Sequence, residues 1–290
     1  MSVTAEAASV RPARRLAIAG LLRRPTARVG AVIVGLFLLL TVLAELVAPY
    51  DPFDQDLSAA LSPPSTDHLL GADQYGRDVL SRIIYGSRTA LLAIVVADGI
   101  ALLIGTALGL IAGYVGGRTD AFVMRLVDVL LAFPYLLLAL IIVAALGPSL
   151  INSIVAIGVV YTPQYARLIR GQVLAIKNTE YVLAARAVGA RGPRIMLRHV
   201  LPNSFTPLLV MATLQSGTVV VETAGLSFLG LGAQPPSPDW GALLADGQSY
   251  FLTAWWIATF PGLAIFAVVI GFNLFGDALR DYFDPRRRGA

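Results

Sequence analysis

The sequence has 290 residues, of which 57% are hydrophobic and 14% are charged, with a formal net charge of +4 and no cysteine. Its mean hydropathy is +0.73. This composition is typical of an integral membrane protein. Without cysteine the chain forms no disulfide and has no thiolate chemistry, whatever the compartment. The basic balance does not call for nucleic acid as a partner, because membrane topology accounts for it.

Six apolar runs are long enough to cross a bilayer as helices. A hydrocarbon core about 30 Å thick needs roughly 20 helical residues at about 1.5 Å each. Lipid offers the backbone no hydrogen-bond partner, so spans are helices or a closed barrel, and the short alternating strands of a barrel are not seen. We therefore predict an all-α, polytopic membrane protein with six transmembrane helices. The runs cover residues 29–49, 89–115, 122–146, 150–170, 203–225 and 254–276.

The basic residues predict that both termini face the cytoplasm, in the plasma or inner membrane. With this orientation, all but three of the 22 lysines and arginines lie inside, as the positive-inside rule requires. The three outside are Arg77, Arg82 and Arg88. A cleaved signal peptide is disfavoured, because the first apolar run begins some 28 residues into the chain and lacks a small-x-small cleavage site. Contact with anionic lipid headgroups accounts for most of the arginine clusters.

These spans divide the chain into inside and outside segments. In order they are a cytoplasmic tail with an interfacial helix at 1–28, a first transmembrane helix at 29–49, an extracytoplasmic loop at 50–88, a five-helix transmembrane core at 89–276 and a cytoplasmic tail at 277–290. A cytoplasmic insert at 177–202 interrupts the core. In the first tail, arginines alternate with leucine and isoleucine, and Pro25 is expected to end the interfacial helix.

Local signals predict details of the connections. Asp78 precedes apolar residues at helical spacing, which predicts a helix cap. Gly147 and Pro148 mark a tight turn between the third and fourth spans. In the second span a four-residue glycine spacing permits close helix packing. These glycines are Gly105, Gly109 and Gly113.

The sequence lacks the groups that an ATPase or a metalloenzyme needs. Lys177 is the only lysine and lies between Ile176 and Asn178, so there is no G-x-x-x-x-G-K-[ST] phosphate loop. His68 and His199 are the only histidines and are predicted on opposite sides of the membrane, so they assemble no metal site or catalytic triad. We predict that the chain is not an enzyme and holds no metal or cofactor of its own.

Three polar residues inside predicted spans are candidates for lining a transport pathway: Asp98, Gln215 and Glu222. A charge at mid-bilayer costs ~3 kcal/mol on insertion scales, so such residues usually face a bundle interior or a watery cavity. Alternatively, a neutral Asp98 hydrogen-bonds a neighbouring helix. Thr218 and Thr223 share the helix of Glu222, which favours a cavity-lining role there. Two scattered acids do not supply a proton relay across the membrane.

A polar insert, EYVLAARAVGARGPRIMLRHVLP at 180–202, separates the fourth and fifth spans. It predicts a helix that Gly189 ends and a second short helix that Pro193 begins. The first helix has a narrow, small-to-apolar face of Tyr181, Ala184, Ala185 and Val188. The second has an apolar side of Ile195, Met196 and Val200. Because alanine permits close backbone approach, the insert is predicted to fit a groove of another protein.

The insert also resembles a signature of bacterial ABC importer permeases, E-A-A-x3-G-x9-I-x-L-P. The run A-A-R-A-V-G is followed by nine residues and H-V-L-P, with Leu183 in place of the Glu and His199 in place of the Ile. Two more stretches, LLGADQYGRDVLSRIIYGSR at 69–88 and ETAGLSFLGLGAQPPSPDWG at 222–241, are similar to signatures of the C-type subunit of the oligopeptide, dipeptide and nickel transport family. The resemblance runs from about residue 11 to the C-terminus.

This resemblance implies an ABC importer type I permease fold and a set of partners. These are a second homologous permease subunit, two cytoplasmic ATPase subunits or a fused one that bind ATP and Mg²⁺, and an extracytoplasmic substrate-binding protein. The insert is then expected to couple ATP hydrolysis to the spans. Its expected coupling residues are Glu180, Tyr181, Ala184, Ala185, Arg186 and Gly189.

The outer surface and the cargo follow from the same resemblance. The Asp-rich segment at 50–82 and the base-free loop at 226–253 are expected to meet the binding protein, with Asp73 and Trp240 as contacts. The expected cargo is a dipeptide or oligopeptide, and nickel or glutathione import by the same family is the alternative. A stand-alone secondary transporter is the rival class, but it needs internal repeats that the two halves do not show.

Overall fold

The computed structural model describes residues 25–283 and is helical over most of this range. The all-α prediction is confirmed for these residues, where the β structure is one isolated bridge between Ala72 and Asp78. In chain order the helices are α1 Pro25–Val42, α2 Ala44–Val47, α3 Val79–Val115, α4 Gly117–Leu131, α5 Tyr135–Leu146, α6 Leu150–Ile176, α7 Glu180–Ala187, α8 Gly192–Ile195, α9 Leu201–Phe228, α10 Trp240–Gln248 and α11 Trp256–Phe283.

The ends of the chain differ from the predicted segments. Most of the expected interfacial helix, and with it the expected end before Pro25, lies outside the described residues, and α1 is described from Pro25 onward. At the other end, α11 continues to Phe283, so the tail predicted from residue 277 is helical for its first seven residues.

Among the described residues, four helical segments are long and apolar enough to cross a membrane, or five if one sharply bent pair counts as a span. They are α1, α3, the run Gly192–Phe228 and α11, and the bent pair is α4 with α5. The predicted fourth span, α6, is not among them. It is long enough, but polar side chains such as Asn152 and Gln164 lower its hydropathy. Because α6 packs against α3, α5 and α9, it faces protein more than lipid.

The third predicted span, 122–146, is not one continuous helix. It consists of α4 and α5, which meet at an angle of 93°. Pro134 stands immediately before α5, and a proline disfavours helical geometry at the residue that precedes it. The chain therefore turns at residues 132–134. The predicted tight turn that follows is confirmed, because Gly147 has φ +91° between α5 and α6.

The outer loop is shorter than predicted, because α3 begins at Val79 and the last ten residues of the predicted loop are helical. Asp78 caps α3 as predicted, with its carboxylate accepting a hydrogen bond from the Ser81 backbone N–H at 2.7 Å. The second span is therefore one helix of 37 residues. Such a helix is about 55 Å long at ~1.5 Å per residue, so it reaches beyond a hydrocarbon core of about 30 Å.

The long helix α3 lies directly on α6 through the predicted glycine stripe. A Cβ atom added to Gly105 would stand 2.5 Å from Tyr165 Cβ, and one added to Gly109 would stand 2.4 Å from the Ala166 carbonyl oxygen. Gly113 is similarly close to Val173. Small residues allow two helix backbones to approach and make dense van der Waals contact. This contact joins the C-terminal half of α3 to the C-terminal half of α6.

Replacing Gly109 with alanine is expected to force the two helices apart. Overpacking of this kind costs about 1–3 kcal/mol, so Gly109→Ala should lower the thermal unfolding midpoint of the purified protein. Gly99→Ala is the matched control on the same helix, because no atom lies within 4 Å of its added Cβ. Alanine favours a helix over glycine by about 1 kcal/mol, so Gly99→Ala should not destabilise. Equal midpoints for both variants would contradict the close-contact interpretation.

Candidate functional site

The inner insert is a short helical hairpin held on the bundle by three buried apolar side chains. Val182, Ile195 and Val200 are fully buried and belong to the main core. Met196, also on the predicted apolar side, packs against that core. The predicted pattern of the second part is therefore confirmed, although it forms one turn of α8 and a five-residue π-helix that continues into α9.

Gly189 ends α7 as predicted, with φ +87°. The Gly189 N–H donates to the Arg186 carbonyl and the Ala190 N–H donates to the Ala185 carbonyl, each at 2.9 Å. This pair of bonds is the Schellman arrangement, which needs a left-handed residue and so favours glycine. The carbonyls at the end of α7 are thus satisfied within the insert, and its shape does not depend on a partner.

The expected coupling residues fall into two groups in the structure. Glu180, Ala184 and Gly189 are exposed, and so is Val188, whose side chain is 85% accessible. The others contact this chain.

Tyr181 accepts a hydrogen bond from Asn203 at 3.4 Å, and its ring lies 6.2 Å from that of His199. The Arg186 guanidinium lies 5.5 Å from the centre of the Tyr114 ring. Ala185 is partly buried. Tyr181 and Arg186 are nevertheless exposed. The outward face of α7 therefore comprises Tyr181, Ala184 and Val188, which stand at helical spacing on one side as predicted.

Charged groups connect the base of the insert to the bundle. Lys177 donates to the Gly113 carbonyl at 3.0 Å and so joins the end of α6 to the end of α3. Arg170 donates two hydrogen bonds to Asp120 of α4, at 2.5 and 2.7 Å. Bidentate arginine–carboxylate pairs fix orientation as well as distance. Movement of the insert would therefore be transmitted to α3, α4 and α6 together.

The middle of the bundle holds the three predicted intramembrane polar residues. Asp98 is buried, and its carboxylate accepts hydrogen bonds from Ser216 at 3.0 Å and Tyr165 at 3.4 Å. It therefore links α3, α6 and α9. Gln215 and Glu222 are partly buried on α9, and both interact with the Tyr161 hydroxyl of α6.

A groove between α6, α9 and α11 reaches Gln215 from the inner end of the bundle. Its volume is about 540 Å³. Gln164 and Gln215 lie along it, and Arg280 and Phe283 of α11 lie at its inner end. Most of its other lining residues are apolar. Among the described residues, no group of three or more His, Asp or Glu side chains is arranged to hold a metal ion.

The outer site is built around Arg82, whose side chain is 1% exposed. Its guanidinium donates to the carbonyls of Pro52 at 3.1 Å and of Pro236 and Ser237 at 3.4 Å. Its Nε lies 3.7 Å from the Asp73 carboxylate. One side chain therefore holds the first outer loop and the loop after α9 against the start of α3.

Asp73 and Trp240 are both buried, so they organise the outer loops from within. Asp73 pairs with Arg77 at 2.6 Å and accepts hydrogen bonds from the backbone N–H groups of Tyr75 and Arg77. The Trp240 indole donates to the Ile83 carbonyl at 2.9 Å. Any direct contact with a partner at this end falls to the exposed residues around them, such as Tyr75 and Gln234.

Asp239 fixes the start of α10 next to α3. Its carboxylate accepts hydrogen bonds from the backbone N–H groups of Gly241 and Ala242 and from the Thr89 hydroxyl at 3.2 Å. Burial raises the pKa of Asp239, and its hydrogen bonds oppose that shift. Close packing completes the contact, because a Cβ added to Gly86 would stand 2.4 Å from the Pro238 carbonyl oxygen.

Several residues of these sites were not predicted from the sequence. Tyr161, Tyr165 and Ser216 stand in apolar runs, where their hydroxyls gave little signal. Arg82 did carry a signal, since it is one of the three basic residues placed outside against the positive-inside trend. Its burial with Asp73 explains why a basic residue is retained there.

Removal of Arg82 is expected to loosen both outer loops. Removing one partner of a buried ion pair lowers the free energy of unfolding by about 3–5 kcal/mol. The loss caused by Arg82→Met should lie near the lower end of this range, because Arg77 still pairs with Asp73. Arg88→Met is the matched control on the same helix, since its ion pair with Glu45 is exposed and such pairs contribute about 0–1 kcal/mol. The measurements are thermal unfolding and limited proteolysis at residues 50–78 and 230–239. Similar cleavage rates in the two variants would contradict this role of Arg82.

Comparison with known proteins places these features in a family. Residues 105–289 match the family described as binding-protein-dependent transport system inner membrane component. Residues 14–64 match the N-terminal transmembrane domain of oligopeptide transport permease C.

Two similar relatives cover nearly the whole chain. The probable D,D-dipeptide transport system permease protein DdpC of Escherichia coli K12 is 43% identical over 295 residues, covering 100% of this chain and 99% of that protein. The glutathione transport system permease protein GsiD of Pectobacterium atrosepticum is 44% identical over 263 residues, covering 88% of this chain and 87% of that protein.

A solved structure of the MetNI methionine ABC transporter, in inward-facing conformations, contains a chain with the same fold. Its TM-score is 0.57 at 20% sequence identity, over 71% of this chain and 98% of that one.

Proposed function

The chain belongs to the family of binding-protein-dependent transport system inner membrane components, and from that premise we propose that it is one permease subunit of an ATP-driven peptide importer. It is a multi-pass protein of the inner membrane with the fold of an ABC importer permease. A second, homologous permease subunit forms the other half of the pathway. Cytoplasmic ATPase subunits bind ATP and Mg²⁺, and an extracytoplasmic binding protein delivers the cargo.

The observation that carries this proposal is the exposed insert on a rigid support. The insert presents Ala184 and Val188 outward, and exposed apolar residues such as Leu183 and Leu197 surround them. An apolar patch on a polar segment marks a protein interaction site. The ATPase would hold this patch, and its closure on ATP would move the insert, and with it α6 and α9, between two orientations of the pathway.

The membrane topology belongs to the same proposal. Six spans with both termini inside require the bent pair α4–α5 to form the third span and the polar helix α6 to form the fourth. The burial of α6 among other helices supports this count, because a span enclosed by protein tolerates polar side chains that lipid would not. The insert then lies in the cytoplasm, and the outer loops around Arg82 lie on the opposite side.

A charge on the outward face of α7 is expected to uncouple the importer. In Val188→Asp and in Ala184→Glu, a carboxylate would enter the apolar contact with the ATPase, and an unpaired buried charge is strongly destabilising. Membrane insertion should be unchanged, while uptake and substrate-stimulated ATP hydrolysis by the reconstituted complex should fall at least about tenfold.

Leu252→Asp is the matched control for this experiment. Leu252 is 97% exposed and lies at the opposite end of the bundle, just before α11. The control rate is ATP hydrolysis without the binding protein, because Leu252 lies in the loop at 226–253 that is expected to meet that protein. Leu252→Asp should leave this rate unaffected, whereas both insert variants should lower it. Full uptake by both insert variants would overturn the coupling role. Gly189→Arg is less suitable, because its φ of +87° would add backbone strain to any loss of contact.

The names of the similar relatives support a peptide as the cargo of this importer, with glutathione as the second candidate. The relatives described above are named for D,D-dipeptide and glutathione transport. Both cargoes contain peptide bonds and carry a free ammonium and carboxylate groups. Uptake of labelled dipeptides and of labelled glutathione by cells with the complete importer, in competition with each other, would separate the two.

The outer loops are proposed to receive the binding protein. Photo-cross-linkers at Tyr75 and Gln234, which are exposed beside the buried Asp73 and Trp240, should form adducts with the binding protein under transport conditions. A cross-linker at Asn178, at the base of the insert, serves as the control and should form none with that partner. Absence of adducts at both outer positions, with a functional importer, would argue against this surface.

A further inference from the structure

Three buried polar atoms in the described part of the bundle make no hydrogen bond of ordinary geometry, and two of them, on Tyr161 and Glu222, belong to neighbouring side chains; the third is Thr106 Oγ1 of α3. In the described part of the chain, the Tyr161 hydroxyl and the Glu222 Oε2 atom are both buried and accept or donate no hydrogen bond of ordinary geometry. Glu222 and Gln215 are the polar groups that interact with the Tyr161 hydroxyl, but neither completes such a bond. Buried polar atoms are normally satisfied, so an exception of this kind points to a role beyond packing.

Asp98, in the same bundle, has a carboxylate whose two oxygens both accept hydrogen bonds. Ser216 donates to its Oδ2 at 3.0 Å and Tyr165 donates to its Oδ1 at 3.4 Å. Both oxygens are thus occupied by groups of this chain, and Asp98 serves to join three helices. Glu222 lies on the same helix as Ser216, yet its outer oxygen has no such donor in the described residues. The two acids therefore differ in the hydrogen-bonding capacity that they leave for a ligand.

Glu222 lies on a face of α9 that this chain covers only in part. Gln215 and Glu222 are seven residues apart, which is close to two helical turns and places them on one face. Thr218, between them on that face, is exposed, and both neighbours are only partly buried. The inner groove reaches this face at Gln215. Gln215 therefore lies where this face meets the groove, about two helical turns from Glu222.

Aromatic rings complete the surroundings. The ring centre of Tyr135 lies 5.8 Å from that of Tyr161, with the planes inclined by 35°. Tyr135 is partly exposed at the start of α5. Aromatic faces attract cations, and ammonium groups in particular bind where such faces accompany a carboxylate. The cluster thus combines one negative charge, two neutral acceptors and two rings.

We propose that Glu222, Tyr161, Gln215 and Tyr135 form a subsite for the primary ammonium group of the cargo, the N-terminus of a peptide, as it passes through the membrane. This proposal rests on the proposed function. A primary ammonium carries one charge and three donors, which match the Glu222 carboxylate, the Tyr161 hydroxyl oxygen and the Gln215 carbonyl. A divalent cation fits less well, since it needs several hard oxygen ligands and no three-acid group is found in the residues described.

The subsite is closed in this conformation, since the Tyr161 hydroxyl and Glu222 Oε2 are both covered. Tyr161 belongs to α6 and Glu222 to α9, and the insert joins these two helices. A shift of the insert would therefore alter the gap between the two atoms. The ammonium would bind when α6 and α9 separate, and closing of the gap would release it.

The test uses photoaffinity labelling of membranes that contain the assembled importer without its binding protein. The probes are a benzophenone-bearing dipeptide with a free N-terminus and its N-acetylated form. Loss of a charge-assisted contact is worth on the order of tenfold in affinity, so the free-amine probe should label this chain about tenfold more. The preference should vanish in Glu222→Gln, which keeps the side-chain shape, and weaken in Tyr161→Phe.

The control is Glu45→Gln, which neutralises an exposed acid paired with Arg88 and should leave the preference unchanged. Expression and co-purification of the partner subunits are measured for every variant. Equal labelling by the two probes, no labelling by either, or a preference that survives Glu222→Gln would overturn the subsite. Uptake of dipeptide by the complete wild-type importer tests the proposed function separately. If uptake occurs but the two probes label the chain equally, the subsite is overturned and the proposed function stands.

Discussion

The close contact of α3 with α6 is the constraint on which the other features depend. It exists because Gly105, Gly109 and Gly113 leave no side chain between the two backbones. The two helices lie side by side in the same direction: α3 extends from the contact back to Val79, whereas α6 ends three residues after Val173. The outer end of α3 carries Arg82 and the loops around it, whereas the inner end of α6 leads into the insert through Lys177. The loops around Arg82 and the insert, at the two ends of the bundle, are therefore connected through one closely packed pair of helices.

The buried polar groups of this protein fall into two sets. One set forms several hydrogen bonds and fixes loops or helices, and the other has incomplete hydrogen bonds. At the outer end, Arg82, Arg77 and Asp73 are buried and bonded to several partners, which fixes the loops. Asp98 is satisfied in the same manner within the bundle. The Glu222 and Tyr161 pair is different. Arg82 lacks a hydrogen bond only at Nε and bonds through its two other nitrogens, whereas the Tyr161 hydroxyl and Glu222 Oε2 each make none in the described residues. A fully bonded network favours one geometry, whereas a partly bonded one leaves an alternative arrangement accessible.

The insert combines a fixed shape with a free surface. Its internal hydrogen bonds at Gly189 and its three buried anchors, Val182, Ile195 and Val200, keep it folded on this chain alone. Its outward face, around Ala184 and Val188, has no cover from the described residues. This arrangement suits a lever, because a rigid element transmits displacement without absorbing it. The Arg170–Asp120 pair joins α4 to the insert's support. A partner that binds the insert would therefore act on several helices at once.

Composition and local motifs determined the all-α membrane fold, the cap at Asp78, the turn at Gly147, the helix-ending Gly189 and the family, because each of these depends on residues close together in sequence or on overall apolarity. Tertiary structure decided that Asp73 and Trp240 are buried and that α6 lies in the centre. It also brought Tyr161 next to Glu222. These outcomes depend on which helices become neighbours, and helix contacts are set by the packing of residues far apart in the chain. Periodicity along one helix predicts that the helix has an apolar face. Which neighbouring helix covers that face depends on the packing of all the helices together.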